Sequence, residues 1–207
     1  MILLNTRNTD YTHVAEYSFV KELLRKGIHL TSLLIVLVYA FYGRQAVLTF
    51  LISYLVLILV IEHLRLDRGL ELPFVKYLFR RKEISNIGSH VFFTLGALVA
   101  VAVFSKEVAY AAILMTTFGD MSAALVGRKI GKHRFLSSGK SIEGCTAEFI
   151  VNLFIGYFFL SSLPLALLMA FTATLVETLF VNIDDNLAIP IFSGFMAETL
   201  LYIKNIL

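Results

Sequence analysis

A chain of 207 residues that is 58% apolar and 16% charged has too little polar surface to cover a soluble domain, which carries about 25% charged residues. With a mean hydropathy of +0.80, the chain is neither disordered nor collagen-like. Its one cysteine, Cys145, cannot close an intramolecular disulfide. The formal charge of +3 says little alone; the placement of the charges says more.

The first 20 residues include Arg7, Asp10, His13 and Glu16 and hold no apolar run of signal-peptide length. The stretch Val14–Leu24 reads either as a helix on the membrane surface, with Tyr17, Val20 and Leu24 on one face, or as a polar tail. A spanning helix needs about 20 mostly apolar residues. That template gives seven spans, roughly Lys26–Tyr42, Ala46–Ile61, Ile87–Phe104, Val108–Val126, Thr146–Ser161, Pro164–Val181 and Leu187–Ile203. The runs are continuously apolar instead of alternating, which argues against a strand barrel. The expected fold is all-α, a polytopic membrane protein of about seven transmembrane helices. It forms one integral membrane domain over 1–207, with 1–25 as a cytoplasmic or interfacial segment.

Counting Lys and Arg by loop orients the spans. Fifteen of the 18 lie in the N-terminal segment, in Glu62–Asn86 and in Gly127–Cys145; Arg44, Lys106 and Lys204 lie on the other face. The N-terminus is therefore expected in the cytoplasm. Tyr39, Tyr42, Tyr110, Tyr157 and Tyr202 fall toward the outer ends of their spans, where an aromatic belt belongs.

Ionisable residues at membrane depth are costly and point to function. His29, Glu62, His90, Asp120, Glu148 and Glu177 all fall in the cytoplasmic half, with Asp184, Asp185 and Asn186 in the next loop; Glu198 is the exception. That one-sidedness predicts a cytoplasm-facing active site.

The densest stretch is Gly119–Gly144, with five glycines interleaved with five basic residues. Glycines let backbone approach a ligand and form anion-binding nests, and Lys and Arg suit phosphate. Gly139-Lys140-Ser141 is not a soluble phosphate-binding loop. Arg134 stands where that motif needs glycine, and no strand precedes it. The alternative is an ordinary basic loop on the cytoplasmic side. Asp120, Asp184 and Asp185 offer hard oxygen ligands for Mg²⁺ (or Mn²⁺ or Ca²⁺), although Asp184-Asp185-Asn186 also suits helix capping before Leu187. Carboxylates beside a phosphate-binding loop are the equipment of phosphoryl or nucleotidyl transfer. Arg25 and His29, four apart, share a helix face. Lipid-facing snorkelling accounts for Arg25 and Lys26 equally well. Glu177 is either a hydrogen bond to a neighbouring helix or a member of the site.

These residues resemble the CTP-dependent lipid kinases: dolichol kinase, phytol kinase and CTP-dependent diacylglycerol kinase. The resemblance rests on Arg25-Lys26-x-x-His29, Glu62-x-x-Arg65 and Arg81-Lys82-Glu83. It continues through Gly119-Asp120, Gly127-Arg128-Lys129-x-Gly131-Lys132 and Lys140-Ser141-x-Glu143-Gly144, and closes on Asp185-Asn186-x-x-x-Pro190. The related phosphatidate cytidylyltransferases share the glycine and lysine series; the shorter chain and the Arg25–His29 motif favour the kinases.

The resemblance implies transfer of the γ-phosphoryl group of CTP to the hydroxyl of a membrane lipid, whether dolichol or another polyprenol, phytol or diacylglycerol. By that likeness Asp120 and Asp185, supported by Asp184, hold Mg²⁺. Lys140, Arg128, Lys129, Lys132, Gly131, Ser141, Gly144, Arg25 and Lys26 bind phosphate or nucleotide, and His29 joins the catalytic group. Glu143 orients Lys140 or contacts the nucleotide. Glu62, Glu83, Glu177 and Asn186 complete the site. The expected partners are CTP, the lipid alcohol and the bilayer of a cell inner membrane or endoplasmic reticulum. Nucleic acid is not expected, and a homo-oligomer stays open. Two alternatives remain: a CTP:lipid-phosphate cytidylyltransferase and, farther off, a transporter relaying through Glu177, Glu198 and His90.

Overall fold

The computed structural model describes residues 32–69, 86–135, 139–180 and 182–206. The segment Val14–Leu24, the start of the first span, and Arg25, Lys26, His29, Arg81, Lys82 and Glu83 lie outside the described residues. The described chain is helical without strands: α1 (Ser32–Arg68), α2 (Ser89–Val103), α3 (Lys106–Leu114), a π turn (Met115–Gly119), α4 (Asp120–Ile130), α5 (Ile142–Leu160), α6 (Leu163–Leu179) and α7 (Asp185–Ile206). Four of the helical runs are long and apolar enough to cross a membrane: Ser32–Arg68, Lys106–Ile130, Ile142–Leu160 and Asp185–Lys204. Two shorter apolar helices, α2 and α6, stand among them. Phe41, Phe154 and Phe158 are 72–79% exposed on the outside. An apolar exterior of that kind belongs in lipid. This is an integral membrane protein.

The first two expected spans are one element by hydrogen bonding, but not one straight rod. Gly43 has φ 81 and ψ 178, a conformation open to glycine and hostile to side chains. Three contacts show that the chain reverses there. Ser32 meets Thr117 (Oγ–Oγ1, 2.8 Å). Arg44 donates to the Phe104 carbonyl at the opposite end of α2 and α3. Glu62 then accepts from the Gly88 amide, back at the first end. At about 1.5 Å per residue, the two arms of α1 therefore run antiparallel, and Ile35 and Tyr39 on one arm share a core with Val47 and Leu51 on the other. Seven helical runs thus traverse the described bundle.

Two ends can be distinguished. One gathers Glu62, Gly88, Asp120, Lys140, Glu177 and Asp185 and is called the site end; the far end holds Gly43, Phe104, Ser105 and Ser161. Tyr39 and Tyr110 depart from the expected belt. They are only 3% and 8% exposed, pack edge to face at 5.2 Å, and lie under the Lys106 ammonium. Their rings serve the core, while Tyr42, Tyr157 and Tyr202 remain exposed.

At α7, Pro190 supplies no N–H to the Asn186 carbonyl one turn back. Gly96 of α2 approaches that carbonyl instead: a Cβ at position 96 would stand 2.6 Å from it. Small residues at such crossings let membrane helices pack closely.

Candidate active site

The site begins with the π turn. Such turns add a residue to the helix and appear frequently at functional sites. Here Thr116 and Thr117 donate to the carbonyls of Ala112 and Ile113, which steadies the widened turn. Gly119 then passes so close to Asn152 of α5 that a Cβ would meet its Oδ1 at 2.5 Å. The next residue, Asp120, opens α4 and lines a cleft of about 190 Å³ together with Gly127, Arg128, Lys140, Gly144 and Glu177. Arg134, Gly139, Ser141 and Cys145 complete its walls nearby.

The expected loop Gly127–Cys145 is shorter than the sequence suggests. Helix α4 continues to Ile130, and α5 already starts at Ile142. Between them the chain folds back on itself: Ile142 N–H donates to His133 O, Phe135 N–H to Lys140 O, and Arg134 Nη1 to Gly139 O. Gly139 has φ 68, a left-handed conformation suited to that tight return. The other glycines do different work from the anion nest expected of them. Gly127, Gly131 and Gly144 surround the buried Ser141, and a Cβ at Gly131 would stand 2.2 Å from Gly127 O and 2.6 Å from Ser141 Oγ. Ser141 Oγ accepts from Gly144 N–H at 3.1 Å and so caps α5. The glycines clamp α4 to α5, and the clamp sets Lys140 at the cleft.

Lys140 is the centre of the charge arrangement. Its ammonium donates to the Glu177 carbonyl at 2.5 Å, to Glu177 Oε1 at 3.1 Å and to Asp185 Oδ2 at 3.1 Å. Three acceptors occupy all three N–H groups. Burial alone would depress this ammonium, but the Glu177 and Asp185 carboxylates overcome that effect and hold its pKa above the ordinary lysine value. Lys140 is therefore charged and tethers α6 to the start of α7. Asp185 also lies within electrostatic range of Asp120. Asp120, Lys140, Glu177 and Asp185 thus come together from four separate parts of the chain.

The remaining expected residues sort by geometry. Arg128, Ser141 and Gly144 line the cleft; Lys129 and Lys132 point to the exposed surface beside it. Glu143 accepts from the His133 backbone amide and meets its ring at 2.9 Å, so it braces the loop and not Lys140. Asp184 accepts from Ser89 Oγ and from both the backbone and side chain of Asn186, which is the capping arrangement and a tie to α2. Glu62 is buried and is gripped by Arg65 through both carboxylate oxygens. Through Oε2 it also receives the Gly88 amide at the start of α2. It anchors α1 to α2. Glu198 accepts from the Ser105 backbone amide at the far end, which explains its exception to the one-sided pattern.

Two features of the site do not stand out in the sequence. Arg134 lines the cleft, although in the sequence it is one more basic loop residue. Asn152 joins Glu148 at 3.4 Å in the bundle interior. The signal for it was present: Gly144, Glu148, Asn152 and Gly156 recur every four residues and form the buried stripe of α5.

Among the described residues no three His, Cys, Asp or Glu side chains cluster as a metal cage. Asp120 and Asp185, within electrostatic range of each other, are two carboxylates that could hold a hard divalent cation. Mg²⁺ is usually held by one or two carboxylates, with waters and substrate phosphates completing its shell.

No family model and no solved structure matches the chain. An uncharacterised protein of Rickettsia prowazekii is 32% identical over 191 residues, covering 85% of this chain and 92% of that protein. A CTP-dependent diacylglycerol kinase of Eremothecium gossypii is 30% identical over 151 residues, or 60% of this chain and 48% of the kinase. Its Schizosaccharomyces pombe counterpart is 28% identical over 135 residues, 56% of this chain and 62% of the kinase. The chain therefore spans about half to three-fifths of the length of these curated kinases. Over that part of their length the chain is similar to CTP-dependent diacylglycerol kinases.

Proposed function

We propose that this protein transfers the γ-phosphoryl group of CTP to the hydroxyl of a membrane lipid, and that diacylglycerol is the acceptor. The observation that carries the reading is the cleft in which Lys140 bridges Glu177 and Asp185 beside Asp120 and Arg128. The names of the fungal relatives support diacylglycerol. Bound Mg²⁺, held by Asp120 and Asp185, would offset the charge of the triphosphate. Arg128 and Arg134 supply forks that suit phosphate oxygens, and Lys140 supplies a compact ammonium. The clamp of Gly127, Gly131 and Gly144 around Ser141 fixes that ammonium in place, and phosphoryl transfer depends mainly on such positioning and charge. The lipid enters sideways from the bilayer, with its hydroxyl at the site end. By the distribution of Lys and Arg, that end faces the cytoplasm.

Purified protein given γ-labelled CTP with diacylglycerol, polyprenol, phytol or phosphatidate tests the reaction. Label in phosphatidate, with CDP released, is expected from diacylglycerol. Release of pyrophosphate with a CDP-lipid would replace the kinase by a cytidylyltransferase. Orientation is tested separately with Arg44→Cys and His133→Cys in a Cys145→Ser background. An impermeant maleimide applied to intact cells should label position 44; preferential labelling at 133 would reverse the topology.

A further inference from the structure

Behind the cleft wall, α5 and α6 bury a run of polar side chains that stand apart from the phosphate-binding groups. Glu148 and Asn152 of α5 are 0% exposed, and Glu177 of α6 is 5% exposed. Asn152 Nδ2 donates to Glu148 Oε1 at 3.4 Å, and Glu177 Oε1 accepts from Lys140 at 3.1 Å. Among the described residues no amide, hydroxyl or ammonium reaches Glu148 Oε2 or Glu177 Oε2. The two carboxyl groups hydrogen-bond each other instead.

Ionised carboxylates only accept, so this contact needs a proton between the two groups. The surroundings decide which residue carries it. The Lys140 ammonium spends its three donors on the Glu177 carbonyl, on Glu177 Oε1 and on Asp185, and has none left for Glu148. Besides Glu177, the ionisable groups facing Glu148 are Lys140 and Cys145, and the only side chain donating to it is the neutral amide of Asn152. Burying a charge without a paired cation is far costlier than burying a neutral, hydrogen-bonded acid. The negative charge therefore sits on Glu177, against the ammonium, and Glu148 keeps the proton.

We infer that Glu148 is a positioning residue for phosphoryl transfer: as a neutral carboxylic acid it donates to Glu177, and Glu177 so held fixes the Lys140 ammonium at the cleft. This rests on the proposed kinase reading and deepens it, because it names what holds the lysine that meets the triphosphate. With Oε2 engaged by Glu148, Glu177 offers Lys140 only one carboxylate oxygen. Without that donor both oxygens are free for the ammonium and draw it back from the cleft. The run of contacts continues to the opposite wall. Asn152 packs against Gly119, where a Cβ would stand 2.5 Å from its Oδ1, and Gly119 directly precedes Asp120. One buried chain of side chains thus backs both the Lys140 side and the Asp120 side of the cleft.

Glu148→Gln mimics the neutral acid: its amide oxygen accepts from Asn152 and its NH₂ group donates to Glu177. Glu148→Leu keeps much of the volume and removes the donor. Per folded protein, Glu148→Gln should keep kcat/KM for CTP within about threefold of wild type. Glu148→Leu should lower it about tenfold or more, the scale of one lost hydrogen bond to a charged group. A second measurement is independent of catalysis and carries the test if Glu148→Leu does not fold. At about pH 8, where ordinary carboxyl groups are ionised, the infrared spectrum of the wild-type protein should contain the carbonyl stretch of a buried carboxylic acid, and Glu148→Gln should lose it. A Gln variant as impaired as the Leu variant would mean that Glu148 works as a charged group. A Leu variant as active as the Gln variant would make the pair plain packing. A missing band, or one that persists in Glu148→Gln, would place the proton elsewhere. Each of these results overturns the inference. Wild-type protein that forms no lipid monophosphate from CTP would overturn the kinase reading instead, while the infrared band would still report the buried acid, so the two failures are distinguishable.

Discussion

Lys106 and Lys140 sit at opposite ends of the bundle and use the same ammonium for different ends. Lys106 lies 5.7 and 5.8 Å from the ring centroids of Tyr39 and Tyr110 and opens α3. Its neighbours behave alike. Arg44 donates to the Phe104 carbonyl, and Glu198 accepts from the Ser105 amide. At the far end, charges complete the hydrogen bonding of helix ends. Lys140 is held instead by two carboxylates from two other helices, in an open cleft that also contains Asp120 and Arg128. Lys140 also donates to the Glu177 carbonyl, but among the described residues only at this end do charges of both signs meet around open space, where an incoming anion can rearrange them.

Variants can break this contrast. The largest effect should come from Asp120→Asn, which is expected to abolish CTP-dependent transfer while the protein stays folded in detergent. Near-native turnover at ordinary magnesium would make Asp120 structural. Lys140→Ala should lower kcat/KM for CTP by about 10²–10³, or roughly 3–4 kcal/mol of transition-state stabilisation. Lys140→Arg should restore only part of it, since a planar fork replaces a compact ammonium. Gly131→Ala sharpens the contrast from the packing side. Its Cβ collides with Gly127 O and Ser141, and overpacking of this kind costs about 1–3 kcal/mol, to be read as a lowered Tm with reduced activity. Lys106→Ala should be the mildest, losing about 0.5–1 kcal/mol of cation–π attraction and leaving kcat/KM near wild type. Equal losses at positions 106 and 140 would erase the distinction between the ends.

Much of this was legible in the sequence. The expected spans break between Tyr42 and Ala46, and the chain does reverse at Gly43. The one-sided distribution of acidic residues likewise located the site end. Hydropathy does not distinguish a tyrosine facing lipid from one facing the core, so Tyr39 and Tyr110 read as members of a belt they do not join. The Lys140–Glu177 pair is separated by 37 residues, and local periodicity carries no information about which helices meet. The glycines of α4 and α5 were recognisable as a group, but a nest around an anion and a clamp around Ser141 need the same residue. The π turn has no sequence pattern of its own; Thr116 and Thr117 became meaningful only once their hydroxyls were seen donating to Ala112 and Ile113.

The described connections at the far end are very short: the reversal at Gly43, residues 104–105 between α2 and α3, and residues 161–162 between α5 and α6. The described connections at the site end are longer, and the loop from 131 to 141 alone exceeds all three together. A protease or antibody confined to the far side would find almost no loop to grip. From the site side the protein offers cleavable chain and epitopes. Limited proteolysis of sealed vesicles of both orientations would therefore give sharply unequal digestion at these connections, a sidedness written into loop length independently of charge.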